Sequence, residues 1–147
     1  MRSHLWPGAW AFVLAAGLAG CGPNPATTPP KGSAEDEATV RAAFTELQQA
    51  IQARDGGKLW ALLAEKSRAE AEQARLTGAS LLEHKEFQKK YHEVPESKVE
   101  SVTVHGEDAT VRFVEPDGDH EKLTAVRQGG GWKLLLKVPK AQPGAAP

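Results

Sequence analysis

Apolar positions along the chain follow a helical spacing first and an alternating spacing later. Steps of four, three and four residues define the first stripe: Val40, Phe44, Leu47 and Ile51. This period predicts an α-helix. Ser33 is a typical helix cap before acidic residues 35–37, and Asp55-Gly56-Gly57 is expected to end the helix, because glycine tolerates the backbone conformation of a helix end.

Three further helical segments are expected before the spacing changes. Residues 58–63 predict a short apolar helix that packs back on the first. Residues 64–76 are rich in strong helix formers and have a thin apolar face of alanines, ended by Thr77-Gly78. Residues 80–93 predict one continuous helix that carries Phe87 and Tyr91 on one stripe, with His84 near Tyr91 on the same face.

From Lys98 onward the pattern alternates with a period of two, which predicts β-strands. Four runs are separated by turn residues at 105–108, 116–119 and 128–131. Short turns between neighbouring strands are typical of an antiparallel meander. The glycine triplet 129–131 leads into a strand and lacks a following Lys-Ser/Thr, so it predicts a hairpin turn rather than a phosphate-binding loop.

The amino-terminal segment has a different character. A single positive charge at Arg2 precedes an apolar run over residues 5–18, which is too short for a stable membrane-spanning helix and is typical of a secretory signal. The run ends in Leu18-Ala19-Gly20-Cys21, which resembles the lipobox of bacterial lipoproteins. That resemblance implies cleavage after Gly20 and acylation of Cys21, the only cysteine. In some bacteria an Asp directly after the cysteine marks retention in the inner membrane. Gly22 stands at that position here, so the resemblance favours the outer membrane.

Composition divides the chain into four parts. The expected order is a signal peptide over 1–20, a lipidated Cys21 and Pro/Thr-rich linker over 21–34, one α+β domain over 35–140 and a disordered tail over 141–147. Removing residues 1–20 takes away only Arg2, so 18 basic residues become 17 against 19 acidic ones. This balance gives no electrostatic basis for binding nucleic acid. The mature chain could form neither a disulfide nor a cysteine zinc site.

Helices followed by an antiparallel sheet predict the α+β class. The element order, the Leu59-Trp60-Ala61-Leu62-Leu63 segment and the final Gly131-Trp132-Lys133 strand resemble the nuclear transport factor 2-like (SnoaL-like) superfamily. The resemblance covers about residues 35–138. It implies a curved sheet of about four strands that wraps a helix into a cone, a small-molecule pocket in that cone, and homodimers formed through the outer face of the sheet.

Candidate pocket residues follow from their type and predicted place. They are the aromatic residues of the predicted core and the polar groups near the cone's mouth: Trp60, His84, Tyr91, Phe113, Glu115 and Trp132. The isomerases of the resembled superfamily use a carboxylate base and a tyrosine with a second acid, and no such trio can be assembled from the sequence, so no catalytic residue is assigned. The histidines lack close metal-ligand spacing, so no metal or cofactor is expected, although distant residues could still assemble a metal site.

Three hypotheses remain open at this point. The first is a non-catalytic, lipid-anchored envelope protein that binds a small hydrophobic ligand or another envelope protein. The second is an isomerase or dehydratase that uses Glu115, His84 or Tyr91. The third is a structural module whose cone is filled by aromatic side chains.

Overall fold

The computed structural model describes residues 32–141, so the signal peptide, the lipobox, most of the linker and the end of the tail lie outside the described residues. Five helices precede four strands. The helices are α1 (Ala34–Gln52), α2 (Gly56–Leu62), α3 (Glu65–Gln73), α4 (Gly78–Glu83) and α5 (Lys85–Tyr91), followed by a 3₁₀ turn (Val94–Glu96). The strands are β1 (Lys98–His105), β2 (Asp108–Val114), β3 (His120–Gln128) and β4 (Gly131–Leu135). The α+β prediction is confirmed.

Helix α1 begins as the sequence predicts. The Ser33 hydroxyl accepts a hydrogen bond from the Asp36 N–H, and three acidic residues occupy the first turn, where the positive end of the helix dipole lies. Val40, Phe44 and Leu47 are fully buried, and Ile51 is half-buried. The predicted stripe therefore faces the core.

The end of α1 differs from the prediction. The helix stops at Gln52, and Arg54 takes the left-handed conformation (φ 53°) that glycine usually provides at a helix end. Asp55 instead caps α2 by accepting a hydrogen bond from the Lys58 N–H, so Gly56 and Gly57 begin the next helix. The prediction that these glycines end α1 is wrong, because Asp and Gly are common both at the start of a helix and just after its end.

The predicted helix over residues 80–93 is also wrong in its continuity. His84 adopts an extended conformation (ψ 125°) between α4 and α5, and its ring Nδ1 accepts a hydrogen bond from the Glu86 N–H. This side chain therefore caps α5, since histidine can accept at one ring nitrogen. Helix α3 is shorter than predicted and buries Ser67 and Ala71.

The sheet is an antiparallel meander in the order β1-β2-β3-β4, as predicted. Alternate residues of each strand point to the helices, and the outer face is polar or half-exposed. Helix α1 packs against β1, β2 and β4. The ring centroids of Phe44 on α1 and Phe113 on β2 lie 5.0 Å apart. The helices and the sheet therefore share one apolar core.

An ion-pair cluster joins the first turn of α1 to the sheet. The Arg127 guanidinium bonds to the Asp36 carboxylate, lies 3.7 Å from a Glu107 oxygen and stacks 4.7 Å above the Trp132 ring. The side-chain hydrogen bond from Arg127 holds the pKa of Asp36 below its usual value. The Trp132 indole N–H has no hydrogen-bond partner among the described residues.

Candidate ligand-binding cleft

At one end of the sheet, the first residues of β3 have no partner on β4, because β4 is the shorter strand. The last cross-strand pair is Thr124 with Leu135, although β3 extends back to His120. Beyond Leu135 the chain turns toward the helices. The Ser67 hydroxyl of α3 donates to the Leu136 carbonyl (2.8 Å), and the Lys137 N–H donates to the Tyr91 hydroxyl of α5 (2.7 Å).

These two hydrogen bonds hold open a gap that we call the β3–β4 cleft. Residues 122–124 of β3 line one side, and residues 135–137 line the other. Its volume of about 430 Å³ lies within the range of roughly 300–1,000 Å³ that is typical of small-ligand pockets. The cleft therefore has room for a ligand.

The floor of the cleft is apolar, and its rim is charged. Phe113, Leu123 and Leu136 are each at most 5% exposed and supply the floor. The rim contains four lysines and three glutamates: Lys66, Lys90, Lys122, Lys137, Glu70, Glu115 and Glu121. A Lys90–Glu121 ion pair (3.8 Å) crosses from α5 to β3. An apolar floor with a polar rim favours an amphipathic ligand.

Tyr91 offers the cleft a buried hydroxyl. The residue is 6% exposed, and its oxygen accepts the Lys137 hydrogen bond, while its own O–H proton has no acceptor among residues 32–141. Burial raises the pKa of Tyr91 to about 12, and the charge of Glu121 also raises it, although the Lys137 hydrogen bond acts the other way. The phenol is therefore a neutral hydrogen-bond donor at physiological pH.

Glu115 lies half-buried at the same cleft. Burial raises the pKa of its carboxyl, the charges of Glu93, Glu121 and Asp117 raise it further, and Lys90 lowers it. Oxygens of Glu93, Glu115 and Asp117 lie within 4.8 Å of one another, which is a spacing compatible with cation ligands. No sequence spacing indicates this cluster, because Glu93 follows α5 whereas Glu115 and Asp117 lie in the connection between β2 and β3.

The six predicted pocket residues divide into two groups. Tyr91, Phe113 and Glu115 line the β3–β4 cleft together. Trp60 lies half-buried at a separate hollow near Gly56 and Leu76, His84 caps α5, and Trp132 is buried under Arg127. His84 and Tyr91, which the sequence places on one helix face, are not hydrogen-bonded to each other: the His84 ring accepts from the Glu86 N–H, and the Tyr91 hydroxyl accepts from the Lys137 N–H.

Ser67 is the functional candidate that the sequence analysis missed. It is 1% exposed and holds one side of the cleft open. Its spacing of four residues from buried Ala71 was the available signal, since such residues share a helix face. The sequence pattern indicated only alanines on the apolar face of α3, although Ser67 lies on the buried face as well.

Comparison of the chain with models of protein families, with curated proteins and with solved structures found no match. Within residues 32–141, no helix is both long and apolar enough to cross a membrane.

Proposed function

We propose that this chain is a lipid-anchored bacterial envelope protein whose α+β domain is a non-catalytic binding module. The β3–β4 cleft is its binding site, and an amphipathic molecule is its ligand. The observation that carries the proposal is the cleft itself: a gap of about 430 Å³ with an apolar floor and a buried Tyr91 O–H that no described residue uses. Ligand sites usually combine an apolar lining with a few polar groups that fix the orientation of the ligand.

The proposed anchor is Cys21, within the lipobox Leu18-Ala19-Gly20-Cys21. Two or three acyl chains would hold the protein durably in the membrane, whereas a single chain binds only marginally. Residues 22–31 contain prolines at 23, 25, 29 and 30, and such segments favour extended spacers. The domain would thus stand away from the lipid surface, with the outer membrane as the favoured site.

We further propose that the domain has a nuclear transport factor 2-like arrangement. Helices followed by a four-stranded antiparallel meander support it, together with α1 packed across the inner face of the sheet. In this arrangement the β3–β4 cleft corresponds to the mouth of the cone.

The anchor is tested by changing Cys21→Ser in the full chain expressed in a bacterium. We expect the variant to keep its signal segment or to leave the membrane fraction, as measured by mass spectrometry and by fractionation. Gly22→Ala is the matched control, because it alters the neighbouring residue and leaves the acylated thiol intact. A Cys21→Ser protein that is processed and retained like the parent would refute the lipoprotein assignment.

The binding site is tested with the amphipathic dye 1-anilinonaphthalene-8-sulfonate and the full chain in a non-ionic detergent, and the fluorescence of the dye in empty micelles is subtracted. We expect saturable binding that Lys122→Trp weakens, because an indole on the rim would obstruct the cleft. Lys98→Trp, on exposed β1 at the opposite edge of the sheet, is the matched control. Equal binding by both variants and the parent would argue against this cleft.

An isomerase or dehydratase acting on a small hydrophobic molecule is a second candidate function. Tyr91 and Glu115 share the cleft, and the raised pKa of Glu115 suits a group that exchanges protons with a ligand. The two functions differ in what is recovered after binding. A binding module returns its ligand unchanged, whereas an enzyme returns an isomer or a dehydrated product, and Glu115→Gln would block that conversion.

A further inference from the structure

The β3 backbone has a free hydrogen-bonding edge inside the cleft. Pairing of β3 with β4 ends at Thr124 and Leu135, so the next hydrogen-bonded pair of the ladder would join Lys122 to Lys137. The Lys137 N–H is instead bound to Tyr91.

Hydrogen bonds between β2 and β3 fall at the odd-numbered residues of β3, as the bond from the Arg127 N–H to the Glu107 carbonyl shows, so the Lys122 N–H and C=O point toward the β4 side. Outside the strand ladder, no hydrogen bond among residues 32–141 uses either group. The Lys122 N–H and the Lys122 C=O therefore face the gap as one donor and one acceptor, in the arrangement that an added antiparallel strand would pair with.

The other open edge of the sheet is less suited to strand pairing. Strand β1 has an irregular register between Val99 and Ser101, carries exposed charges at Lys98 and Glu100, and is met near its end by Gly32, whose N–H donates to the Val104 carbonyl. Bulges and charges are the features by which proteins protect exposed edges. The β3 edge at Lys122 also carries a charge, but its register is regular and it lies beside an apolar floor.

Two exposed positive charges lie next to this free edge on the outer face, near a His120 side chain that is already in contact with Glu100. Arg112 and Lys122 lie directly opposite each other on β2 and β3, both are exposed, and neither forms an ion pair within the described residues. Like charges placed opposite each other are destabilising, so a nearby anion would relieve the repulsion. Lys137 lies on the other side of the gap and is also exposed.

We infer that the β3–β4 cleft binds an extended peptide segment of another protein, through strand addition at Lys122 and with the side-chain pattern apolar–acidic–apolar. This inference rests on the binding role proposed for the same cleft. The ligand class follows from three features: the free backbone groups of Lys122, the apolar floor of the cleft, and the positive charges of Arg112 and Lys122.

The side-chain pattern follows from strand geometry. A peptide residue that exchanges both backbone hydrogen bonds with Lys122 has its side chain on the outer face, beside Lys122 and Arg112. An acidic side chain fits there. The residues before and after it point to the opposite face, toward the floor formed by Phe113, Leu123 and Leu136, where apolar side chains fit. The Tyr91 O–H can donate to a peptide carbonyl.

The chain's own remaining segments do not match this pattern. Residues 1–31 and 142–147 contain no Asp or Glu. Residues 142–147 consist of Gln, Pro, Gly and Ala, so they also lack a large apolar side chain for the floor. Neither of these two segments therefore fits the pattern.

The test uses fluorescein-labelled Gly-Leu-Glu-Leu-Gly-amide and fluorescence anisotropy with the full chain in detergent. Replacing Glu by Lys in the probe should weaken binding roughly fivefold, because it removes the favourable charge pairing. N-methylating the Glu nitrogen should weaken it roughly threefold to tenfold, since it removes the hydrogen bond to the Lys122 carbonyl. Both losses together would distinguish strand addition from simple charge attraction.

Charge-swap variants identify the site. Lys122→Glu and Arg112→Glu should each bind the Glu probe less tightly than the parent and should lose most of the parent's preference for the Glu probe over the Lys probe, because the new carboxylate pairs with the cation that remains opposite it. Lys98→Glu, the matched control on β1, should bind both probes as the parent does. Circular dichroism of each variant checks that it is folded, and because both test positions are exposed, two independent substitutions report on one site.

Two results would overturn the inference. If the Glu, Lys and N-methyl probes bind equally, or if Lys98→Glu matters as much as Lys122→Glu, no strand adds at Lys122. If none of the peptides binds while the dye still binds and Lys122→Trp still weakens it, the peptide inference fails and the proposed binding function stands. If neither dye nor peptide responds to changes at Lys122, both proposals fail.

Discussion

At the scale of single residues, Tyr91 connects the packing of the core to the candidate site. Its ring packs 4.7 Å from the Phe87 ring, and its hydroxyl holds the Lys137 backbone away from β3. The Tyr91 hydroxyl, together with the Ser67 hydroxyl, therefore binds the backbone at the point where β4 leaves its ladder with β3. The same hydroxyl proton is available to a ligand in the cleft.

The ionisation of Tyr91 is the first prediction. Its pKa of about 12 in the native state exceeds the ordinary value of 10.0, so the native state holds the proton more tightly than the unfolded state does. The associated stability is complete below about pH 10 and is lost as pH rises to about 12, by roughly 2–3 kcal/mol in all. Because the chain has one tyrosine, phenolate absorbance near 295 nm reports this group alone.

The control for this prediction is the same titration in denaturant, where the midpoint should return to about 10. Tyr91→Phe should remove the absorbance change and destabilise the protein by about 1–2 kcal/mol, since the Lys137 N–H loses its partner. Thr45→Ala deletes an exposed hydroxyl on α1 and should change stability by less than about 0.5 kcal/mol. A native midpoint near 10 would mean that the phenol is not buried.

Glu115 carries the second prediction. Its raised native pKa means that the folded state binds the proton more tightly, so folding stability falls as pH rises above 4.5 through the native pKa. Glu115→Gln removes this loss. Urea unfolding at several pH values should show the variant gaining stability relative to the parent as pH increases.

Gln73→Ala is the control for this series, because Gln73 is exposed at the end of α3 and carries no ionisable group. The difference between that variant and the parent should not grow with pH. If the Glu115→Gln difference is constant with pH, burial and neighbouring charge do not perturb this carboxyl in the way described.

At the scale of elements, two glycines set how α2 and α4 meet. A Cβ at Gly78 would lie 1.9 Å from the Gly56 carbonyl oxygen, and a Cβ at Gly56 would lie 2.4 Å from the Ala79 nitrogen. The two helices thus begin in direct backbone contact. Both glycines were interpreted as helix breakers from the sequence, whereas the structure uses them for close approach.

This contact gives the third prediction. Gly78→Ala should lower the free energy of unfolding by roughly 1–3 kcal/mol, because the added methyl meets backbone that cannot move aside. Gly57→Ala, one residue from the contact, meets only an Asp55 carboxylate oxygen at 3.5 Å and should be neutral or slightly stabilising. Chemical denaturation measures both. Equal losses would indicate that helix geometry rather than close approach dominates.

At the scale of the whole molecule, one apolar core joins all the helices to the sheet, and Phe44 lies within it at 0% exposure. Arg127 links α1 to β3 at the periphery. Helical and sheet regions should therefore unfold together.

The fourth prediction tests this cooperativity. Phe44→Ala should cost about 3–5 kcal/mol, because it leaves a cavity against Phe113. In a Trp60→Phe background, circular dichroism, which reports mainly on the helices, and the fluorescence of Trp132 of β4 should shift to the same new midpoint. Separate midpoints for the two signals would show that helices and sheet unfold independently.

Local patterns predicted most of the fold. The Val40–Leu47 stripe, the Ser33 cap and the four alternating strands each depend on interactions within a few residues or on one face of an element, so their signals are present in the sequence. The errors fell where several structures suit the same local sequence. His84 suits a helix interior as well as a cap, and Gly56 suits a helix end as well as a contact, so only packing could decide.

The candidate site was half predictable for the same reason. Tyr91, Phe113 and Glu115 were identified as residue types suited to a pocket, but their meeting in one cleft depends on where β4 leaves β3. That departure depends on hydrogen bonds from Ser67 and Tyr91, which lie 69 and 46 residues from their partners along the chain. The sequence alone determined the element types, the strand order and the resemblance of residues 18–21 to a lipobox. The tertiary structure alone decided the helix break at His84, the glycine contact and the cleft, because each depends on groups that become neighbours only after folding.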